Sequence, residues 1–258
     1  MNAALRKRPL WARTLDRLHY GFGKKGKARK RAAEALARAA AFESQTIDTD
    51  GGLPQRRYAS YQAYVDHQAS KLTQIERRLR RVENEDLESF RSRFADCAAL
   101  EGQHTVLCLG ARLGTEVRAL MELGHLAVGV DLNPGAANQY VLHGDFHHLV
   151  FPDRSFSAVY TNTLDHVFDL PRLVDEIRRV LVPDGVLIAD VVPGFDEGHL
   201  PGDFESTYWT NVDALVDALT AAGMRMVSRR ALDREPWQQI ILKPASGIAD
   251  KRRINKAA

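Results

Sequence analysis

Cysteine is scarce in this chain: its 258 residues hold only Cys97 and Cys108. Two thiols make no disulfide framework, which points to a reducing compartment. Cys108 lies inside an apolar run and reads as a buried, reduced thiol. Long apolar stretches are missing as well. None approaches the roughly 18 residues of a membrane span. The basic N-terminal segment is not followed by the apolar core of about 7–15 residues that a secretory signal needs. The expectation is a cytoplasmic location and no transmembrane segment. Net charge is small too, at +3, and by itself argues for no partner.

What is present is unevenly spread. The apolar fraction of 45% suffices for a sizeable core. Residues 1–31 carry eleven Lys or Arg against one acid, Asp16, so the front holds +10 and the remainder −7. Residues 1–57 read as a basic, partly helical arm and linker. A short helix is expected at Leu10–Leu18 and another over the Ala-rich residues 28–42. The polar stretch 44–57, with Asp50-Gly51-Gly52 and Pro54, reads as linker.

Residues 58–100 read as a helical cap region. Tyr61, Val65, Leu72, Ile75, Leu79 and Val82 recur at helical spacing and form one apolar stripe. A weak break at Glu83–Glu85 starts a second helix over Asp86–Ala99.

At His104 the period changes. Thr105–Leu109, 127–131, 140–145, 157–162 and 186–192 read as strands, with helices at 116–123 and 171–181 between them and a Pro183-Asp184-Gly185 turn before the last. Asn211 or Asp213 can cap a helix that ends at Gly223. Met224–Arg229 and Trp237–Leu242 close the chain as strands, joined by a link too short for a helical crossover, so they pair antiparallel. The expected fold is α/β: a Rossmann-like, seven-stranded, mostly parallel sheet over residues 101–245 with a C-terminal antiparallel strand, preceded by the helical extension and followed by a basic tail, 246–258.

Four short motifs fall at the carboxyl ends of the first four strands, the edge at which such sheets bind ligands. Val106–Glu116 runs strand, then Gly110 and Gly114, then helix. Glycines there let a ligand approach backbone, and the helix start offers free N–H groups. The motif is neither G-x-G-x-x-G nor a P-loop; a tight turn without ligand reads the same residues differently. Asp131 ends the second strand at the spacing where an acid meets ribose hydroxyls. Gly144-Asp145-Phe146 follows the third strand, where Asp145 can accept from an adenine amino group while Phe146 packs near the ring. Thr161–Phe168 follows the fourth.

As an ordered set these motifs, with Leu181-Val182-Pro183-Asp184-Gly185-Val186-Leu187, resemble the class I S-adenosylmethionine-dependent methyltransferases, and within them the ubiquinone- and menaquinone-type branch. The likeness covers about residues 100–243. It implies a methyltransferase with S-adenosylmethionine as cofactor. It also implies that Leu109, Gly110 and Gly114 flank the methionine part, Asp131 with Leu132 holds the ribose, Asp145 and Phe146 the adenine, and Asn162 lies beneath the sulfonium. The family has an acid followed by G-x-G-x-G in the first motif; here Cys108 and Arg112 stand in place of the acid and the middle glycine. Glu116 or Arg112 is read as the substitute partner for the amino or carboxylate group.

A base is needed only for a hydroxyl or protonated amine acceptor. His166, just past the fourth strand and expected to titrate near neutrality, is the candidate, with Asp165 orienting it or binding the acceptor. On the cap helix Tyr64, His67 and Lys71 share one side and are candidate substrate contacts. His143, Asp145 and His147 would share a strand face, but a metal site needs three or four closed ligands, and none is assigned. The basic residues 1–31 can attract nucleic acid or hold the protein peripherally on an anionic membrane, with Leu10, Trp11, Leu15 and Leu18 as an apolar edge. With no RNA-binding fold signature and an acidic body, the expected partner is a small-molecule or saccharide acceptor, O-methylated. An RNA methyltransferase using the basic arm and a non-catalytic nucleoside-binding scaffold are the alternatives.

Overall fold

The computed structural model describes residues 52–199, 201–233 and 236–245, with scattered positions between 26 and 47. The expected helix Leu10–Leu18 and the basic tail lie outside the described residues. Those described between 29 and 41 are helical and exposed, and Lys30 pairs with Glu34 one turn on, at 3.8 Å. The stretch read as linker holds a two-stranded antiparallel ribbon instead. Strand β1 (Thr46–Ile47) pairs antiparallel with β2 (Gln55–Arg56).

Helix α1 (Tyr61–Ala95) follows, capped by Ser60, whose side chain accepts from the Ala63 amide at 3.1 Å. It is one unbroken helix where two were expected. Residues 83–85 contain no glycine or proline to stop it, and Glu83 is tied to Arg118 by an ion pair. The apolar stripe continues past the supposed break through Leu87, Phe90 and Phe94. At 1.5 Å per residue the helix is about 50 Å long. Despite this length, no helix among the described residues is apolar enough to cross a membrane.

The sheet follows the expected plan. Strands β3 (Thr105–Leu109), β4 (Leu126–Asp131), β5 (Val141–His143), β6 (Phe156–Thr161), β7 (Leu181–Val191), β8 (Met224–Ala231) and β9 (Gln238–Pro244) lie in the order β5-β4-β3-β6-β7-β9-β8. The first five are parallel and β9 is antiparallel to both neighbours. Order reverses between β4 and β6 around β3, which creates a switch point at the carboxyl end of β3. The Pro183–Gly185 turn does not precede β7 but lies inside its span. There the register against β6 jumps from Phe156↔Leu181 to Ala158↔Val186, so the turn survives as a bulge.

Helices α2 (Thr115–Glu122), α3 (Leu170–Val180) and α4 (Val212–Ala221) cover the sheet. Asn211, rather than Asp213, caps α4, accepting from the Ala214 amide at 2.9 Å. Both faces of β3 are buried. Leu107 and Leu109 join a core with α3 and α4, while Val106 and Cys108 join one with α2 and the end of α1. This explains why β3 reads as continuous rather than alternating apolar sequence. A buried ion pair fastens α1 to the second face: Arg93 meets Asp190 at 2.7 Å, and Asp190 also accepts from the Tyr160 hydroxyl and the Gln239 amide.

Candidate active site

A cleft runs along the carboxyl edge of β3, β4 and β6, roofed by α1. Its inner chamber, about 450 Å³ with its mouth included, lies between Gly110, Asp131, Leu132 and Phe146 on the sheet side and Tyr64, Gln68 and Lys71 on the helix. A wider outer chamber, about 1590 Å³ with open solvent included, continues past Arg112, Glu116 and Asn162 to Asp165 and His166.

Strand β3 delivers the chain into a turn that only glycine can begin. Gly110 has φ +69°, and a Cβ there would stand 2.5 Å from the Thr163 hydroxyl oxygen. Gly114, at φ +82°, opens α2, and a Cβ on it would stand 2.8 Å from the Tyr140 Cβ. Between them Arg112 itself adopts φ +44°, a left-handed conformation for a side-chain-bearing residue. Its carbonyl accepts from Asn138 Nδ2 at 3.1 Å, and its amide donates to Asp131 Oδ2 at 2.9 Å. The other oxygen, Oδ1, accepts from the Asn133 amide at 2.8 Å. Burial pushes the Asp131 pKa up, while these two amides and the Arg112 charge oppose that rise. Each oxygen keeps lone-pair capacity toward the cleft, so Asp131 presents two acceptors side by side.

Glu116 sits in the first turn of α2 and is buried, and burial raises its pKa to about 8. Next to it in the core, burial also raises the Cys108 thiol, so no charge stands where the family's acid would be. Arg112 is the nearby cation that opposes the Glu116 shift.

His166 is buried and fixed at both ring nitrogens. Nδ1 lies 2.8 Å from the Phe204 carbonyl, which can only accept, so Nδ1 carries the proton. Nε2 then accepts from Lys71 Nζ at 2.5 Å. Burial, with the charges of Lys71 and Arg112, lowers its pKa to about 3. The expectation that His166 titrates near neutrality is therefore corrected: the ring is enclosed and faces two cations. Burial and Arg112 also lower Lys71, to about 8. Asp165, raised by burial, lies 3.8 Å from His166 Nε2.

Four expected contacts fall outside the cleft lining. Leu109 points into the core, and only its carbonyl reaches the site, accepting from Thr161 and Thr163 hydroxyls. Gly114 shapes the turn without lining the chamber. His67 is rotated about 60° from Tyr64 on the helix wheel, whereas Lys71 and Gln68 lie within about 40°. Its ring stacks on Phe204 at 4.8 Å and its Nδ1 meets the Tyr58 hydroxyl at 2.9 Å. Asp145 is engaged by the Tyr61 hydroxyl and by the His147 amide and ring. Burial opposes its ionisation, but these hydrogen bonds prevail and hold its pKa at about 2. Strand β5 ends at His143, which is exposed, so His143, Asp145 and His147 share no strand face.

Sequence reasoning missed Gln68, Thr163, His199 and Glu205. Gln68 was findable, because it shares the helix face of Tyr64 and Lys71. His199 and Glu205 carry no motif; they arrive through the segment after β7. The Ser206 and Thr207 amides donate to the Asp165 carbonyl, and Arg56 of β2 donates to the carbonyls of Gly202 and Glu205.

Comparison with known proteins agrees with the fold. Residues 107–189 match the model of a family described as methyltransferase domain. No curated protein matches the chain. Among solved structures, the chain is similar to a Burkholderia thailandensis 1,6-didemethyltoxoflavin-N1-methyltransferase with bound 1,6-didemethyltoxoflavin and S-adenosylhomocysteine, at TM-score 0.60 and 18% identity over 78% of this chain and 99% of that one. A Leishmania major S-adenosylmethionine-dependent methyltransferase gives TM-score 0.55 and 14% identity over 71% and 82%. One from Clostridium acetobutylicum gives 0.52 and 11% over 68% and 98%. Strand order and the reversed β9 thus give the chain the Rossmann-like fold of these S-adenosylmethionine-dependent methyltransferases, and residues 107–189 match the methyltransferase-domain model.

Proposed function

We propose that this protein is an S-adenosylmethionine-dependent methyltransferase acting on a hydroxyl or N–H of a small molecule. One observation carries the cofactor reading: Asp131 stands at the end of β4 beside the side-chain-free turn at Gly110, both on the inner chamber. The residues fit an adenosine-containing cation. Asp131 offers paired acceptors to two ribose hydroxyls, Phe146 an apolar wall, and Glu116 a carboxylate for an ammonium group.

When bound, the cofactor supplies a methyl group already activated on a sulfonium sulfur. The protein's task is to orient the acceptor in line, to exclude water and to take a proton. Helix α1 excludes water by closing over the chamber. Lys71 is the better placed proton acceptor: it lines both chambers, and its pKa near 8 leaves a useful fraction of free amine at neutral pH. His166 holds it in place, and Asp165 contacts the acceptor.

Calorimetry tests the cofactor reading. S-adenosylmethionine binds the full chain, NAD does not, and Asp131→Ala weakens binding at least tenfold through lost charge-assisted hydrogen bonds. Equal binding by the variant sinks it. With an acceptor in hand, the rate rises with pH toward a plateau above about 8, and Lys71→Arg, which keeps the charge but cannot release it, slows turnover by about 10²-fold or more.

A further inference from the structure

Two acids stand at the ends of neighbouring strands, and the cofactor reading uses one of them. Asp131 ends β4, and Asp145 stands just past the end of β5, its parallel neighbour. Asp131 lines the inner chamber, whereas Asp145 lines neither chamber.

The Asp145 carboxylate is engaged from within the protein. Oδ2 accepts from the Tyr61 hydroxyl. Oδ1 accepts from the His147 amide at 2.8 Å and from the ring Nδ1 at 2.9 Å. The ring is fixed in one tautomer. Its Nε2 lies 3.2 Å from the Asp169 amide, which can only donate, so Nε2 accepts and Nδ1 carries the proton. Three of the roughly four lone-pair positions of a carboxylate are thereby filled. The Tyr61 ring packs edge-on against Phe168 and His147, with centroids 5.2 and 5.8 Å away, which holds its hydroxyl against Asp145. Burial and the Asp145 charge raise the Tyr61 pKa, so the phenol stays protonated and donating.

A purine amino group would use such a carboxylate by donating an N–H to it. The Tyr61 O–H already makes that bond. What the ends of β4 and β5 turn toward the chamber beside Asp131 is apolar: Leu132 and Phe146. Apolar side chains contact the face of a ring, whereas choice among edge groups needs placed polar ones. On the roof, Tyr64 donates to the His166 carbonyl at 3.1 Å and Gln68 to that of Phe204 at 2.7 Å.

Resting on the methyltransferase reading above, we infer that Tyr61 makes the cofactor site indifferent to the amino group of the base: the ribose is recognised through Asp131, and a purine with a carbonyl in place of the amino group is accepted as readily as adenine. Asp145 serves instead to tie the first turn of α1 to the sheet edge.

The test is calorimetry on the full chain with S-adenosylhomocysteine and S-inosylhomocysteine, which differ at that one position of the base. Expected are dissociation constants within about threefold of each other. A site that hydrogen-bonds a ligand group rejects the analogue lacking it much more strongly, so a larger preference for the adenosine compound overturns the inference. Asp131→Ala weakens both ligands alike. Asp145→Asn lowers the urea-unfolding midpoint and leaves the ratio of the two affinities unchanged, even where both fall together with the roof. Selective loss of the adenosine compound in that variant also overturns the inference. Should Asp145→Asn not fold, the comparison on the unaltered chain decides alone. Failure of the unaltered chain to bind either nucleoside overturns the methyltransferase reading instead, so the two failures are told apart.

Discussion

At the scale of single residues, Glu116 has two measurable consequences. Its pKa in the folded chain, about 8, stands above the ordinary 4.5. A raised carboxyl contributes stability below its unfolded pKa and loses it as pH climbs through the folded value. The ligand-free protein should thus lose up to about 5 kcal/mol between pH 4.5 and 8 relative to Glu116→Gln, read by urea unfolding of both across that range. If Glu116 instead pairs with the cofactor's ammonium, binding at pH 7 releases a proton. Calorimetry in buffers of different ionisation enthalpy reads this directly, and Glu116→Gln abolishes the release. Gly110→Ala is the second residue-scale prediction. A left-handed Cβ facing Thr163 costs on the order of 2 kcal/mol or more, seen as a lower unfolding midpoint together with weakened cofactor binding. Gly110 and Asp131 were legible in the sequence because the chemistry sits within one strand-turn-helix unit and its neighbouring strand. His166 was misjudged because its titration depends on Lys71, Arg112 and Phe204, which no local pattern brings to it.

At the scale of elements, the strands were legible wherever apolar runs met glycine or proline. The unbroken α1 was not, because Glu83 and Asn84 neither favour nor forbid a break and the tertiary partner Arg118 decides. The bulge in β7 hid for a similar reason: Pro183-Asp184-Gly185 is turn chemistry, yet the pairing with β6 resumes on both sides of it. Arg93 is the rivet between α1 and the sheet. Arg93→Met leaves the fully buried Asp190 without its cation and costs about 3 kcal/mol in urea unfolding, while the double variant Arg93→Met, Asp190→Leu recovers part of that loss.

At the scale of the whole molecule, the fold class and the reversed last strand could be read in the sequence, whereas the end of the cleft around Asp165 and Glu205 could not. It is assembled from segments more than a hundred residues apart: Arg56 grips the carbonyls of Gly202 and Glu205, and Gln68 grips that of Phe204. The short ribbon β1–β2 therefore braces the segment that carries Glu205, although it lines neither chamber. Shortening the chain to start at residue 58 should spare cofactor affinity within about threefold, read by calorimetry, and lower the unfolding midpoint through loss of the Arg56 contacts to Gly202 and Glu205. Such a truncated protein would keep its cleft but lose the strut that holds one of its walls in place.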